Sequence, residues 1–312
     1  MTHDRRFRFG VDLQAPFEGL GWLDTFRACE DLGYSTIFVP DHFDGGPGPI
    51  AALASAAAVT SQIGLGTLVL AADYRHPVVL AREIATIDQI SSGRVELGLG
   101  AGWKAWDYEA SGIPMDRPGV RVSRLIEYVE VMKGLFGGSP FSFDGEHFTI
   151  TELPGTPAPH RPGGPPILIG GGAPRMLRHA GAVADIVGVN PSIHSGEIDA
   201  EAAADGLADR IDEKFTWLHQ GAGDRFDEIE LNAWLAVAEL TDDPAGVAEL
   251  VAPAFDASPE ELLESPIALV AARSEVGDIL RRRRERWGYS YTVIPGDRAH
   301  AFAPSVAELT GT

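Results

Sequence analysis

Two adjacent residues, Asp41 and His42, carry side chains suited to proton transfer. They follow residues 35–39 (STIFV), a β-branched and aromatic run typical of a buried strand, which Pro40 ends. An imidazole titrates near neutral pH, and a neighbouring carboxylate can set its tautomer or accept its proton. We predict that His42 is the catalytic acid or base and that Asp41 orients it. The alternative is a polar pair that only caps the next segment.

A second feature is the stretch 95–103 (VELGLGAGW), in which three glycines recur at every second position. Its first five residues predict a buried strand, and the glycines predict an abrupt exit into a loop. Because glycine has no Cβ, a flat ligand can come close to such a backbone. The stretch is not a dinucleotide fingerprint, since Trp103 replaces the third glycine and no acidic residue follows at the required distance.

A third feature is the stretch 170–175 (GGGAPR), which places backbone N–H groups at a predicted helix start beside the guanidinium of Arg175. The helix dipole and the unpaired donors would stabilise an anion there, and we predict a phosphate. Simple packing of the glycines against a neighbour is the alternative. The stretch is not a Walker loop, because the Gly-Lys-Ser/Thr ending is absent.

Aromatic residues accompany these motifs, while signs of other chemistries are missing from the sequence. Phe43, Tyr74, Trp103 and Trp106 could wall a flat heterocycle or could only pack beneath loops. The nine histidines lack the spacing of metal ligands, so no metal site is predicted. No Gly-x-Ser-x-Gly elbow occurs, so nothing indicates a serine hydrolase.

The elements that must position these residues form a repeated strand and helix pattern. Eight nearly continuous apolar strands alternate with helices, which predicts one (β/α)8 TIM-barrel domain over residues 1–312. In such a barrel, chemistry lies on the loops after the carboxyl ends of the strands. This rule places Gln14, Asp41, Gly100 and Gly172 at one mouth.

Four connecting segments have their own predictions. Residues 137–166 carry seven prolines and a hairpin that turns at Asp144-Gly145, which indicates a lid or flap. Residues 241–266 are a second, polar and helical insertion, with a helix start at Ser258. Residues 103–118 are predicted as a long loop, and residues 198–220 as one acidic helix.

The composition limits the classes of partner. The formal net charge of −20 argues against nucleic acid and against an anionic membrane surface. No apolar signal core and no run of about 18 apolar residues occurs, so we expect a soluble cytoplasmic protein. The single cysteine, Cys29, excludes an internal disulfide, and its place in a predicted helix indicates a buried, inert thiol.

Several stretches together resemble the luciferase-like monooxygenase superfamily, in the family's order and over about residues 7–310. They are DHF at 41–43, GTLVL at 66–70, RHP at 75–77, SSGRVELGLGAGW at 91–103 and PILIGGG at 166–172. The resemblance is closest to the branch that uses the deazaflavin coenzyme F420. It implies a bacterial luciferase-like (β/α)8 barrel with insertion segments at its C-terminal face. The superfamily also contains FMN-dependent monooxygenases, so FMN is the alternative cofactor.

The resemblance also implies a role for individual residues. A non-prolyl cis peptide is expected at Leu68-Val69, against the flavin-like ring, and Asp41 and His42 match the pair beside the reactive ring carbon. The implied cofactor-binding residues are Asp41, Leu68, Val69, Ala71, Gly100, Ala101, Gly102, Gly171, Gly172, Ala173, Pro174 and Arg175. The residues expected to contact the substrate are Gln14, Phe43, Tyr74, Trp103 and Trp106.

One residue departs from the family pattern. In sugar-phosphate dehydrogenases of the F420 branch, a glutamate that acts as an acid directly follows the second glycine of the loop. Here Trp103 stands in that place. A tryptophan cannot exchange that proton, which argues against glucose 6-phosphate oxidation and favours a bulkier, less polar substrate.

The leading hypothesis is an F420-dependent oxidoreductase that transfers a hydride between the deazaflavin C5 and a small organic substrate. In it His42 donates or accepts the accompanying proton. An FMN-dependent monooxygenase, which reacts FMNH2 from a partner reductase with O2, is the second hypothesis. A non-catalytic, flavin-binding barrel is the third. The resemblance is also compatible with a homodimer.

Overall fold

The computed structural model describes residues 5–312, along which parallel strands alternate with helices. The fold is the predicted (β/α)8 barrel. The strands are β1 (Arg8–Asp12), β2 (Thr36–Val39), β3 (Gly64–Thr67), β4 (Leu70–Ala71), β5 (Val95–Gly100), β6 (Pro140–Asp144), β7 (Thr149–Pro154), β8 (Ile167–Gly171), β9 (Ile186–Val189), β10 (Glu230–Trp234), β11 (Val237–Leu240), β12 (Ala268–Ala271) and β13 (Tyr289–Pro295).

The helices follow the strands in the order that the sequence predicts, and the N-termini of several are set by proline in the first turn. They are α1 (Trp22–Asp31), α2 (Pro49–Val59), α3 (Pro77–Ile90), α4 (Ala105–Ser111), α5 (Pro118–Phe136), α6 (Pro174–Val183), α7 (Ala200–Ala204), α8 (Ala208–Ala222), α9 (Pro244–Val251), α10 (Pro259–Glu264), α11 (Val276–Trp287) and α12 (Ala299–Leu309).

One compact unit comprises Leu13–Arg27 and Ile37–Ile169. Its strand β5 pairs in parallel with β3, β4 and β8, and all six residues of β5 are buried. A strand covered on both faces needs a nearly continuous apolar sequence, which is the pattern that predicted it. At its carboxyl end, Gly100 lies opposite Ala71 in the register with β4.

The other compact unit comprises the described residues up to Asp12, Ala28–Thr36 and Gly170–Thr312. Its strand β13 pairs in parallel with β1 and β10, and β10 also pairs with β9. Two charged side chains on these strands pair with each other, since Nε of Arg8 donates to Oε1 of Glu230 at 2.7 Å. The prediction of a single domain for the whole chain stays a prediction.

The two insertions have the predicted secondary structure. Strands β6 and β7 form an antiparallel hairpin, and Glu127 of α5 accepts the backbone N–H groups of residues 146–148 at 2.8–3.2 Å. In the second insertion, Ser258 begins α10 with a reciprocal capping box to Glu261. The role of residues 137–166 as a lid or flap stays a prediction.

Two of the segment predictions were wrong. Residues 103–118 contain the helix α4, whose only buried residues are Asp107 and Tyr108, so no apolar stripe marks it in the sequence. Residues 198–220 form two helices, α7 and α8, separated at residues 205–207. The break includes Gly206, where an added Cβ would lie 2.2 Å from Cδ1 of Ile267.

Cys29 is fully buried in α1, as predicted. Burial raises the pKa of its thiol to about 12. Since the thiolate is the nucleophilic form, this thiol is inert near neutral pH.

Candidate active site

The imidazole of His42, just after β2, is held by a carboxylate that the sequence analysis did not identify. Nδ1 of His42 lies 2.7 Å from Oδ2 of Asp107. Oδ1 of Asp107 accepts the backbone N–H of Phe43 at 3.1 Å. The Asp107 side chain is 1% exposed and that of His42 is 27% exposed. His42 is therefore fixed at one ring nitrogen while part of its ring remains accessible.

The prediction that Asp41 orients His42 was wrong, because Asp41 is committed to other partners. Its two carboxylate oxygens accept Nη1 and Nη2 of Arg75 at 2.5 and 2.9 Å. Oδ2 also accepts the backbone N–H of Ala71 at 3.2 Å. This bidentate ion pair fastens the end of β2 to the segment that follows β4.

Asp107 was not predicted as a site residue because it lies 65 residues from His42, within a segment that was predicted as a loop. A weak signal was present. Asp107 is an acidic residue in the first turn of α4, a position where the helix dipole favours a negative charge. Recognising that helix start would have placed a carboxylate close behind the glycine-rich loop.

The cis peptide expected at Leu68-Val69 is confirmed, and it separates β3 from β4. The neighbouring glycines of β5 face this segment. A Cβ added at Gly98 would lie 1.9 Å from the carbonyl oxygen of Thr67, and one at Gly100 would lie 2.6 Å from Cγ2 of Val69. The close approach that these two glycines permit is therefore to the protein itself.

Gly102 needs to be glycine for two reasons. Its φ is +74°, and an added Cβ would lie 1.8 Å from the hydroxyl of Tyr108. That hydroxyl donates to Asp73 at 2.9 Å, and Asp73 in turn binds Arg124 at 2.5 Å. Burial and the adjacent Asp73 carboxylate raise the pKa of Tyr108, so the phenol remains a donor. A fixed network thus braces the loop 100–102.

Aromatic rings lie around His42. The rings of Trp103 and His42 form a T-shaped pair with a centroid distance of 5.5 Å, and the ring centroids of Phe43 and Tyr74 lie 4.9 Å apart. The hydroxyl of Tyr74 donates to Oδ2 of Asp107 at 3.4 Å. Phe43, which follows His42 in the chain, is 47% exposed and offers apolar surface to a ligand. Four predicted site residues, His42 included, therefore come together.

The other two predicted substrate residues are exposed side chains of the same unit. Trp106 is 48% exposed and has the ammonium group of Lys104 5.8 Å from its ring centroid. Gln14 is exposed. Its backbone carbonyl oxygen would lie 3.4 Å from a Cβ added at Gly46, which belongs to the loop after His42. Their contact with a substrate stays a prediction.

The predicted anion site, residues 171–175, lies at the start of α6 in the other unit, where no side chain caps the helix. Its first-turn N–H groups therefore lack a side-chain acceptor from the N-cap. The carbonyl of Gly172 accepts Nζ of Lys214 at 3.1 Å. Because the N–H and C=O of a trans peptide point in opposite directions, this bond turns the N–H of Ala173 away from Lys214. A helix start whose backbone N–H groups are not capped by a side chain fits a phosphate group.

Replacing Arg75 by methionine is expected to lower the free energy of unfolding by about 2 kcal/mol. The substitution leaves the Asp41 carboxylate, 3% exposed, without its counter-charge, while partial exposure of Arg75 limits the loss. Urea unfolding measures the change. The matched control is Arg27→Met, which removes an exposed ion pair to Asp24 and should cost less than about 1 kcal/mol. Equal losses in both variants would contradict the prediction.

Residues 5–312 contain neither a candidate metal site nor a candidate membrane-spanning helix. No group of three or more His, Cys, Asp or Glu side chains is placed to hold a metal ion. In the same range, no helix combines the length and the apolar character required to cross a bilayer.

The chain belongs to the luciferase-like monooxygenase family, whose model matches residues 21–287. Two curated relatives are F420-dependent glucose-6-phosphate dehydrogenases. The one from Nakamurella multipartita is 30% identical over 253 residues, which cover 75% of this chain and 68% of that protein. The one from Kineococcus radiotolerans is 31% identical over 193 residues, which cover 59% and 56%. The chain therefore spans between about half and two thirds of the length of these relatives.

A solved structure extends the comparison to most of the chain. The coenzyme F420 dependent tetrahydromethanopterin reductase from Methanopyrus kandleri matches with a TM-score of 0.74 at 19% identity. The match covers 97% of this chain and 99% of that chain. A likeness at this identity concerns the fold and agrees with the barrel described above.

Proposed function

We propose that the protein is an F420-dependent oxidoreductase that acts on a small organic substrate. One observation carries the proposal: an accessible imidazole, His42, is fixed by the buried carboxylate of Asp107 just after β2, and the last residue of β2, Val39, accepts the N–H of Leu68 in the cis peptide at 3.2 Å. The F420-dependent names of the two curated relatives support the choice of coenzyme. The assignment of residues 171–175 to its phosphate group stays a prediction.

The chain's own residues would handle the proton. When bound, F420 supplies a ring carbon that accepts or donates a hydride. Among residues 5–312, Nε2 of His42 has no hydrogen-bond partner, so this nitrogen is the one that can exchange a proton with a substrate. General acid or base catalysis of this kind contributes about 10²–10⁴-fold to a rate.

The walls beside His42 favour a substrate that is less polar than a sugar phosphate. Trp103 places its indole in a T-shaped contact with the imidazole, in the position where the resemblance expects an acidic side chain. Phe43 and Trp106 add exposed apolar surface. We therefore propose that the substrate is an alcohol or carbonyl compound with an apolar body, and not the glucose 6-phosphate in the names of the relatives.

The second candidate is an FMN-dependent monooxygenase, which the name of the family itself favours. The cis peptide Leu68-Val69 suits the ring of a flavin as well as that of a deazaflavin. The uncapped start of α6 likewise suits the phosphate group of either cofactor. The homodimer and the partner reductase stay predictions of the resemblance.

Fluorescence titration of the purified protein with F420, and separately with FMN, tests the proposal. We expect saturable binding of F420 at micromolar affinity and much weaker binding of FMN. Turnover of a panel of alcohols and ketones is then followed through the absorbance of the coenzyme, with an oxygen electrode in the same cell. Binding of FMN without F420, or turnover that consumes O2, would replace the proposal by the monooxygenase. Binding without any turnover across the panel would support a non-catalytic barrel.

A further inference from the structure

We propose that Asp107 is the positioning residue of His42, and that it holds the neutral imidazole as the Nδ1–H tautomer. In this form Nε2 carries the lone pair and can take a proton. The inference deepens the proposed function and rests on it. It adds a residue 65 positions away that no sequence motif links to His42.

The donors around Asp107 decide where the shared proton lies. Its oxygens accept the backbone N–H of Phe43 at 3.1 Å and the hydroxyl of Tyr74 at 3.4 Å, as an ionised carboxylate does. Burial and the neighbouring Asp107 charge raise the pKa of Tyr74, so this phenol donates rather than accepts. A carboxylate has no proton to give, so the hydrogen in the 2.7 Å contact belongs to Nδ1 of His42.

The surroundings of Asp107 leave its charge to be balanced by protein groups. The Asp107 side chain is 1% exposed, so its charge cannot be compensated by bulk water. Its place in the first turn of α4 adds a favourable interaction with the helix dipole. When Nε2 takes a proton, the adjacent carboxylate stabilises the imidazolium, as the carboxylate of a catalytic triad does.

No other acidic group near His42 replaces Asp107. Asp41 is bound to Arg75. Asp44 interacts with His42 only through the electrostatic field, and its own carboxylate is paired with Lys104. The ring of Trp103 forms a T-shaped contact with the imidazole and carries no acidic group. Among the described residues, Asp107 alone hydrogen-bonds a ring nitrogen of His42.

The test is ¹⁵N NMR of protein labelled at histidine, with the His42 signals assigned from their loss in His42→Gln. In the wild type, at a pH where the ring is neutral, we expect the shifts of an Nδ1–H tautomer. Asp107→Asn offers an amide N–H to Nδ1, so the Nε2–H tautomer should become populated. Its kcat should fall by about 10²-fold or more, with the Kd for F420 within about threefold.

Asp44→Asn is the matched control, because it removes a carboxylate from the same loop without removing a hydrogen bond to His42. We expect it to keep the Nδ1–H tautomer. Asp107→Glu retains the charge and should keep that tautomer too, which covers the case in which Asp107→Asn does not fold.

An Nε2–H tautomer in the wild type would overturn the inference, as would an unchanged tautomer and kcat in Asp107→Asn. The proposed function fails separately. If F420 does not bind but the wild type and Asp107→Asn differ in tautomer as expected, the positioning by Asp107 stands and the choice of coenzyme falls.

Discussion

Replacement of His42 by alanine is expected to lower kcat by about 10²–10⁴-fold, because the substrate then loses its proton donor or acceptor. The Kd for F420 should change by less than about threefold. Among the described contacts, the ring binds only Asp107 and packs against only the ring of Trp103, so the surfaces assigned to the coenzyme stay intact. Steady-state rates and fluorescence titration of the same preparation measure the two quantities.

Two further variants make this result interpretable. His42→Gln can still donate an N–H to the buried Asp107, so it separates the loss of proton transfer from the cost of leaving that carboxylate unpaired. His160→Ala removes an exposed histidine from outside the candidate site, and it should leave kcat unchanged. A His42→Ala variant with wild-type kcat would remove His42 from the mechanism.

Substitution of Gly98 by alanine is expected to destabilise the fold by at least about 3 kcal/mol, or to prevent folding. The added Cβ would lie 1.9 Å from the carbonyl oxygen of Thr67, a backbone atom that cannot rotate away. The side chain of Thr67 also binds Gly98, since Oγ1 of Thr67 accepts the N–H of Gly98 at 2.9 Å. Moving either strand would therefore break this bond as well.

Urea unfolding and the yield of folded protein measure the effect. Gly45→Ala is the matched control, since nothing lies within 4 Å of its added Cβ, and it should change the free energy of unfolding by less than about 0.5 kcal/mol. Gly100→Ala should fall between the two, because its obstacle is the end of the Val69 side chain, which can shift. A Gly98→Ala protein as stable as the control would show that the close approach of Gly98 to Thr67 does not require glycine.

The barrel could be predicted from the sequence because its evidence is local. The run 35–39 is apolar, β-branched and stopped by a proline, and β2 forms there. The helix predicted from Pro77 to about Ile90 is α3 within those bounds. The cis peptide came from the family resemblance, because no local pattern predicts it.

The partner of His42 could not be predicted in this way. Asp41 was favoured because it is adjacent to His42 in the sequence. Consecutive side chains of an extended chain point to opposite sides, however, and Asp41 binds Arg75. Asp107 reaches the imidazole only because α4 folds back after the glycine-rich loop. Such a pair depends on how loops pack, which leaves no periodicity in the sequence.

By itself, therefore, the sequence determined where the barrel strands lie, that His42 ends one of them, and that positions 98, 100 and 102 are glycines. Hydrophobic patterning and turn residues act over a few positions, and they suffice for these features. The tertiary structure alone decided which carboxylate holds His42 and which atoms occupy the space beside each glycine. Those outcomes depend on contacts between residues distant in the chain, such as Gly98 with Thr67 and Gly102 with Tyr108.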